Sequence, residues 1–259
     1  MTAVFLGTGT SHGVPVVGCS CPVCRSQDLR DSRYRASLLI RGDQEERILV
    51  DTGPEFRLQA LRAGIKRLDA VFISHAHADH IHGLDDVRPL TRNGILPVWA
   101  NRQAREELAV RFSYAFDPPQ EGGEVPRILL KEMPREGVQI GGIRVLPIPV
   151  LHGILPILGF RFGNFAYLTD CSDIPDSSRP LLEGVEILAI DGLRTRPHPT
   201  HFSIAEASQA ARSLGAREAW ITHICHDHSH RELETLCADL SSPDCSVRPA
   251  WDGMELVVA

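Results

Sequence analysis

The stretch Ser74–His80 constrains what this chain can fold into more than any other part of the sequence. The apolar run 69–73 before it predicts a buried strand, and a helix is expected to begin near Asp85. The stretch is therefore expected to form a tight turn at the carboxyl end of a core strand, where ligands collect in α/β sheets. Imidazole and carboxylate are natural ligands of Zn, Fe and Mn, so this cluster predicts a metal site. Its three imidazoles and one carboxylate are His75, His77, Asp79 and His80.

Composition excludes several classes of protein. The 259 residues carry a net charge of −6, which disfavours a constitutive nucleic-acid binder with a basic face. No apolar run reaches the roughly 18–20 residues that a membrane span needs. The start of the chain has no basic segment of the kind that opens a signal peptide, so a cytoplasmic location is expected. No linker or internal repeat divides the sequence, which predicts a single domain over 1–259.

Further polar side chains follow predicted strands at the points where those strands end. Scattered core residues would not line up in this way. We therefore expect them to converge on one edge of a sheet sandwich, close to the histidine cluster. These residues are Asp51, His152, Asp170, Asp191 and His223.

The helices are predicted from their apolar spacing and their end signals. A helix over 55–63 is expected to bury Phe56, Leu58 and Leu61 and to stop at Gly64. Asn101 is expected to cap a helix that reaches 111. Ser203 and Glu206 form a capping box for a helix over 203–214, and a last helix is predicted over 231–240.

Two parts of the chain are harder to interpret. The segment 112–136 is rich in Pro and Gly and is expected to be a long loop with a strand at 127–130. It is expected to cover the site or to contact a second subunit of a homodimer. Three of the seven cysteines, Cys19, Cys21 and Cys24, crowd into one irregular loop. With no export signal, this spacing indicates metal binding rather than a disulfide framework. The other four, Cys171, Cys225, Cys237 and Cys245, are expected to be buried thiols.

The histidine and aspartate motifs, taken in order, resemble the metallo-β-lactamase superfamily. The motif His75-x-His77-x-Asp79-His80 is highly specific, and the later ligands follow at fitting intervals over nearly the whole chain. The resemblance implies an α/β fold, a four-layer αββα sandwich, with two divalent metal ions (Mn or Zn) at one edge. It implies that His75, His77 and His152 hold one ion, that Asp79, His80 and His223 hold the other, and that Asp170 bridges them. Asp51 would lie beneath and orient ligands.

Two further motifs resemble the phosphodiesterase branch of that superfamily. The opening 5–15 is similar to the start of phosphodiesterases that include the tRNA 3′-processing endonucleases. The cysteine loop resembles the phosphodiesterase of the carbon–phosphorus lyase pathway and the pyrroloquinoline quinone biosynthesis B proteins. In those proteins three cysteines and one histidine hold a structural zinc, which here implies Cys19, Cys21, Cys24 and His226 and a stapled loop at about 10–35.

The remaining histidines receive roles by order and position. His201 corresponds to a histidine that assists catalysis in the phosphodiesterase group and is expected to protonate a leaving group or contact phosphate. His12 and His198 are candidates for the pocket lining. His82, His228 and His230 are expected to face solvent or to support other residues.

Together these features predict metal-assisted hydrolysis of a small phosphorylated substrate. A hydroxide held between two ions would attack phosphorus, with Asp79 and His201 in the catalytic centre. The resemblance implies that the substrates are cyclic phosphodiesters of ribose, such as 5-phosphoribosyl 1,2-cyclic phosphate or 2′,3′-cyclic nucleotides. Three alternatives remain open: a thioesterase or lactonase on the same site, a non-enzymatic carrier in cofactor biosynthesis, and a tRNA-processing nuclease. No membrane partner is expected, and the net charge disfavours a nucleic-acid partner.

Overall fold

The fold, given by a computed structural model that describes residues 1–116 and 124–259, is built on two seven-stranded sheets. The first sheet has the order β14-β1-β2-β3-β4-β5-β6 and the second the order β13-β12-β11-β10-β9-β8-β7. The strands are β1 (Thr2–Gly7), β2 (Ser37–Arg41), β3 (Arg47–Val50), β4 (Ala70–Phe72), β5 (Leu96–Ala100), β6 (Ile128–Glu132), β7 (Val138–Ile140), β8 (Ile143–His152), β9 (Leu155–Phe162), β10 (Phe165–Leu168), β11 (Ile187–Asp191), β12 (Glu218–Thr222), β13 (Ser246–Pro249) and β14 (Glu255–Val257).

Helices cover the outer face of each sheet. They are α1 (Phe56–Arg62), α2 (Ala78–Ile81), α3 (Arg102–Arg111), α4 (Ile204–Ser213) and α5 (His230–Leu240). Short 3₁₀ turns lie at Val23–Arg25, Leu29–Asp31, Leu84–Thr91, Ser113–Ala115 and Arg179–Leu182. Within the described ranges, no helix is long and apolar enough to cross a membrane.

Three apolar clusters hold the layers together. The central one lies between the two sheets and includes the fully buried Phe5, Phe72, Phe160 and Tyr167. A second cluster joins α4 and α5 to the second sheet, and a third joins α1 and α3 to the first. The order of layers is therefore helix, sheet, sheet, helix, which confirms the predicted αββα sandwich.

Strand direction fixes where functional side chains gather. β3, β4, β5 and β6 run parallel in the first sheet, and β10 to β13 run parallel in the second. Parallel strands deliver their carboxyl ends to the same edge of a sheet. The strand ends named from the sequence therefore meet at one rim of the sandwich.

The first predicted helix is confirmed, but its buried face is not the predicted one. Phe56 is fully buried, whereas Leu58 and Leu61 are exposed. Gln59 is buried in their place and donates a hydrogen bond from Nε2 to the carbonyl of Arg35 at 2.9 Å. The spacing of Leu58 and Leu61 from Phe56 departs from the i, i+3, i+4 pattern of one helix face, which explains the error.

Other differences concern short elements. α2 begins at Ala78, inside the histidine cluster and before the expected start at Asp85, so Asp79 and His80 lie on a helical turn. The strands β13 and β14 have no counterpart in the sequence prediction. Both are only three or four residues long, which is too short for a clear alternation of apolar residues. The strand predicted at 127–130 within the loop 112–136 is confirmed as β6, and the rest of that loop falls in part on residues 117–123, which lie outside the described residues.

A buried polar network ties the start of the chain to its end. The Arg33 guanidinium donates from Nη1 to Thr8 Oγ1 and to the Ala250 carbonyl, both at 2.7 Å. Thr8 Oγ1 in turn donates to Asp252 at 2.7 Å. Arg33 also donates from Nη2 to Nδ1 of His230 at 3.1 Å. His230 is buried and supports Arg33 rather than facing solvent. Because Nδ1 accepts this bond, the ring is neutral.

The neutral state of His230 predicts a specific sensitivity to acid. Burial, together with the Arg33 charge, lowers its pKa to about 4. Below its ordinary pKa of about 6.5 the unfolded chain takes up a proton that the folded protein does not, so stability is lost as pH falls from about 6.5 towards 4. We expect the free energy of unfolding, measured in urea, to fall between pH 7 and pH 4.5 in both proteins. The fall should be about 2 kcal/mol smaller in His230→Asn than in the wild type.

The exposed His82 offers the matched control. His82→Asn should follow the wild type at both pH values. An equal fall in the free energy of unfolding in the wild type and in His230→Asn would contradict a neutral, buried His230.

Candidate metal centre

The candidate centre lies at the rim where strands of both sheets end. β8 ends at His152 and β11 ends at Asp191, while His223 follows β12 directly. Asp51 follows β3 directly, and His75 and Asp170 follow β4 and β10 within three residues. The structure thus brings all six predicted strand-end residues to one edge.

Three of these residues have a left-handed backbone conformation, which residues other than glycine rarely adopt. Asp51, Asp170 and His223 have positive φ angles of 61°, 53° and 58°. The left-handed region is unfavourable for non-glycine residues and is found at sites where the surrounding structure enforces it. The chain bends sharply at each of these strand ends, which aims the side chain into the rim.

The first group of candidate ligands consists of His75, His77 and His152. One nitrogen of each lies within 4.8 Å of the others. The ring centres of His75 and His77 are 4.4 Å apart, and that of His152 is 5.2 Å from that of His77. The spacing fits three imidazoles around one ion.

The second group consists of Asp79, His80, Asp170 and His223, whose ligand atoms also lie within 4.8 Å of one another. Nε2 of His80 is 3.2 Å from Asp79 Oδ2 and 3.0 Å from Asp170 Oδ1. Nε2 of His223 is 3.1 Å from the same Asp170 oxygen. His80, Asp170 and His223 are buried, and Asp79 is partly exposed.

Asp170 lies between the two groups. Its Oδ1 faces His80 and His223, while its Oδ2 is 3.9 Å from Nε2 of His75 in the first group. A carboxylate with one oxygen towards each group is placed to bridge two ions. This arrangement agrees with the bridging role that the sequence resemblance implied, and that role stays a prediction.

Unpaired buried nitrogens test whether this donor set suits a metal. Among the described residues, Nε2 of His75, His80 and His223 is buried without a hydrogen-bond partner. A buried polar atom normally has one, since leaving it unpaired costs about 1–3 kcal/mol. Divalent cations accept neutral imidazole and carboxylate together. The residues present therefore fit a divalent metal.

In three of the candidate ligands, His75, His80 and His152, protein groups hold Nδ1, which fixes the tautomer of the ring. Nδ1 of His80 donates to Asp51 at 2.7 Å, and Nδ1 of His152 donates to the Thr200 carbonyl at 2.7 Å. Ser74 Oγ donates to Asp51 at 2.8 Å and lies 3.0 Å from Nδ1 of His75, from which it accepts. Each ring is left with Nε2 as its free lone pair.

The carboxylates of the centre stabilise positive charge on the histidines beside them. Burial would lower the pKa of His80, but the carboxylates of Asp170 and Asp79 raise it well above its usual range. Burial would raise the pKa of Asp170, but the neighbouring His223 and His80 lower it well below its usual range. A site that stabilises imidazolium in this way is also suited to a divalent cation, which would replace the proton.

Asp51 is the support of the whole motif. Its carboxylate is fully buried and accepts from the backbone N–H and hydroxyl of Ser74, both at 2.8 Å, as well as from His80. Gly53 allows α2 to approach, because a side-chain Cβ there would lie 2.4 Å from the Asp79 carbonyl oxygen. Asp51 thus orients His80 directly and His75 through Ser74.

Replacing Asp51 should weaken metal binding without removing a ligand. Asp51→Asn loses the charge that orients His80, and outer groups of this kind are worth about 10–100-fold in affinity. We expect the dissociation constant for Mn²⁺ to rise by about that factor in a calorimetric titration. Asp69→Asn is the control, because Asp69 accepts a backbone bond from Arg47 at 2.7 Å away from the centre. Equal affinity in wild type and Asp51→Asn would contradict the orienting role.

His201 stands at the mouth of the centre. Its ring lies 4.7 Å from His152 and 4.8 Å from His223, so it touches both ligand groups. Its Nδ1 donates to Asp191 Oδ2 at 2.6 Å, which leaves Nε2 free. The sequence prediction named His201 but gave Asp191 no role; only the fold shows that this buried carboxylate holds the ring.

The other histidines differ in their exposure and in their distance from the centre. His198 lies beside His201, with 5.1 Å between ring centres, and its role in lining a pocket stays a prediction. His82 is exposed and His228 is partly exposed. His12 is exposed on the loop after β1, whose Gly9 forms backbone bridges to Arg35 and Ile224.

Cys19, Cys21 and Cys24 gather around His226. Their sulfurs lie 3.4, 3.5 and 3.2 Å from Nδ1 of His226, and all seven cysteines are free. A hydrogen bond from the Cys24 backbone N–H lowers the pKa of Cys21 to about 6, which favours the thiolate that binds metal. Three thiolates and one imidazole fit a closed tetrahedral zinc set.

Removal of one sulfur tests this second site. Cys21→Ala is expected to lower the zinc content by one ion per chain, measured by plasma emission, because three remaining donors leave a tetrahedral site open. Cys237→Ala is the control, since this buried thiol lies on α5 and packs in the apolar cluster between α5 and the second sheet. The same zinc content in Cys21→Ala as in wild type would overturn the assignment.

Comparison with known proteins places the chain in a family. Residues 46–224 match the β-lactamase superfamily domain, and the chain belongs to this superfamily. Over its full length it is 39% identical to a protein of Porphyromonas gingivalis named octanoyltransferase. The chain spans only 52% of that relative's length. It is also 27% identical over 230 residues to coenzyme PQQ synthesis protein B of Methylobacterium nodulans, covering 74% of the chain and 73% of the relative.

Solved structures show the same fold. A diphosphatase described as a new member of the PhnP family superposes with a TM-score of 0.89 at 40% identity, covering 100% of this chain and 98% of that one. Zinc-bound PqqB of Methylobacterium extorquens superposes with a TM-score of 0.78 at 16% identity, covering 100% of both chains. At that identity the second likeness concerns the fold alone.

Proposed function

We propose that the protein is a metal-dependent hydrolase of small phosphodiesters, with cyclic ribose phosphates as the preferred class. The observation that carries this proposal is the position of His201, which faces both ligand groups and is held by Asp191. A hydrolase that expels a sugar alkoxide needs a proton donor there, because an unprotonated alkoxide is a poor leaving group. The likeness to a diphosphatase at 40% identity supports chemistry at phosphorus.

The residues divide the work between binding and proton transfer. Two divalent ions bound by the two groups would polarise the phosphoryl oxygens and acidify water. Asp170 lies between the groups and holds them in register, and Asp51 keeps the rings of His80 and His75 in place. Nε2 of His201 then delivers a proton to the departing oxygen while Asp191 stabilises the imidazolium.

Burial changes the acidity of His201. It lowers the pKa of His201 below its ordinary value, although Asp170 and Asp79 oppose the shift. A lower pKa makes the protonated ring a stronger acid. The hydrogen bond from Nδ1 to buried Asp191 leaves Nε2 as the nitrogen that takes up a proton, and the imidazolium so formed delivers that proton from Nε2.

The leaving group provides a sharp test. His201→Asn should lower kcat for adenosine 2′,3′-cyclic phosphate by about 10²–10³-fold, because its ribose oxygen needs a proton. The same variant should retain kcat for bis(p-nitrophenyl) phosphate within about threefold, since p-nitrophenolate leaves without one. Metal content should stay equal to wild type. Equal losses on both substrates would contradict an acid role for His201.

Thioester hydrolysis is the second candidate function, and the 39% identity to a protein named octanoyltransferase favours it. A substrate panel separates the two functions. The panel contains adenosine 2′,3′-cyclic phosphate, ADP-ribose, octanoyl-coenzyme A and a γ-lactone. The phosphodiester reading requires turnover of a phosphorus substrate by the metal-loaded wild type. Turnover of octanoyl-coenzyme A or lactone alone would replace it.

A further inference from the structure

Arg111, the last residue of α3, donates a hydrogen bond from Nη1 to the carbonyl of Ala76. Ala76 is buried and stands between two candidate ligands of the first group, His75 and His77. Its carbonyl belongs to the planar peptide that joins Ala76 to His77, so the bond limits how that peptide can turn. A side chain 35 positions along the chain thus holds the backbone of the histidine turn.

His77 is the ligand of the first group that most needs such support. The rings of His75 and His152 are held at Nδ1 by protein groups at 3.0 and 2.7 Å. Among the described residues, none hydrogen-bonds the ring of His77, which is exposed. The direction of a ring without such a partner follows from its backbone conformation. The peptide that precedes His77 is the one that Arg111 holds.

Glu107 holds the guanidinium in place and offsets its charge. Its carboxylate accepts from Nη2 of Arg111 at 2.7 Å, across one turn of α3. Glu107 and Gln103 line a small depression whose other walls include His75. Gln103, Glu107 and Arg111 are spaced four residues apart, which places them on one face of the helix. This polar face of α3 lies against the histidine turn, and the Glu107 carboxylate reduces the repulsion that a lone guanidinium would exert on a cation there.

The other end of α3 is tied to the strand pair that carries His152. Asn101, which caps the helix, donates from Nδ2 to the Pro156 carbonyl at 3.3 Å. Pro156 lies on β9 opposite Leu151, the residue before His152 on β8. One helix thus contacts both chain segments that supply the first group, at Pro156 and at Ala76.

We propose that Arg111 is a positioning residue of the candidate metal centre, which holds the peptide before His77 and keeps its ring aligned with the other two rings of the first group. The inference goes beyond the proposed function, because it concerns how an ion is held and not which substrate is hydrolysed. An imidazole binds an ion only when its free nitrogen lone pair is directed at it. Loss of Arg111 should therefore weaken the ion of the first group and leave the ion of the second, buried group in place.

A metal titration of an alanine variant tests the proposal, because position and charge predict opposite results. Arg111→Ala removes a positive charge near the centre, which by Coulomb interaction alone would tighten the binding of a cation. If Arg111 positions His77, calorimetry should instead show one of two Mn²⁺ ions bound about tenfold more weakly, with the other unchanged within about twofold. Unchanged or tighter binding of both ions would overturn the proposal.

A double-mutant cycle with His77 shows whether the effect passes through that ligand. His77→Ala alone should abolish tight binding of the ion of the first group. Adding Arg111→Ala to it should then change the remaining Mn²⁺ affinity less than about twofold, since the ligand that Arg111 positions is already gone. A further tenfold loss in the double variant would show that Arg111 acts elsewhere and would overturn the assignment to His77.

Arg105 supplies the matched control on the same helix. Its side chain is 37% exposed, against 39% for Arg111, and it faces Glu132 on β6 at 3.8 Å rather than the histidine turn. Arg105→Ala should bind both ions as tightly as the wild type does. An equal loss of Mn²⁺ affinity in Arg105→Ala and Arg111→Ala would show a general effect of α3 and overturn the role of Arg111.

These measurements are separable from the test of the proposed function. A protein that binds two ions with this dependence on Arg111 but hydrolyses no phosphodiester would refute the proposed function and support the inference. A wild-type protein that takes up fewer than two Mn²⁺ ions at the rim would overturn the inference, whatever it hydrolyses.

Discussion

The carboxylate of Asp51 is the interaction on which the site depends. It is fully buried, yet it accepts from two donors of Ser74 and from His80, so its charge is matched on each oxygen. Through these bonds it fixes the tautomer of His80 and, by way of the Ser74 hydroxyl, that of His75. The free Nε2 atoms then face inward as potential metal ligands. Burial that would be costly for an isolated carboxylate thus becomes the means of orienting the histidine motif.

Backbone conformation places the remaining ligands. Asp51, Asp170 and His223 lie in the left-handed region directly after strands, where a β-strand would otherwise have continued. Parallel strands carry these residues to the same rim, and the two packed sheets supply opposite sides of the centre. Asp170 can lie between both ligand groups only because β10 is central in the second sheet. The strain at these positions is maintained by the rigid core beneath them.

The cysteine site and the candidate metal centre are connected through side-chain contacts. His226 lies among the three sulfurs, and its neighbour Asp227 pairs with Arg196, while His228 is 3.4 Å from Thr195. These contacts brace the loop that carries Arg194, His198 and His201. An ion held by the cysteines would fix the 225–228 segment and hence that loop. The irregular N-terminal loop and the loop 195–202 would therefore be ordered together.

The sequence by itself located the strand ends, the histidine cluster and the cysteine loop, because short motifs and strand periodicity are local properties. The αββα architecture and the grouping of the ligands into sets came from the resemblance to the metallo-β-lactamase superfamily. Together, the motifs and the resemblance named His75 to His80, His152, Asp170, His223 and the four residues of the cysteine site. Tertiary structure alone decided what Asp191, Arg111 and Arg194 contact. Asp191 meets His201 across ten residues, Arg111 donates to the Ala76 carbonyl from α3 at 2.5 Å, and Arg194 donates to the Pro197 carbonyl at 3.5 Å. The solvent-facing side of α1 and the burial of His230 were also decided there, because burial depends on which distant surfaces pack against a segment, and local sequence does not encode that.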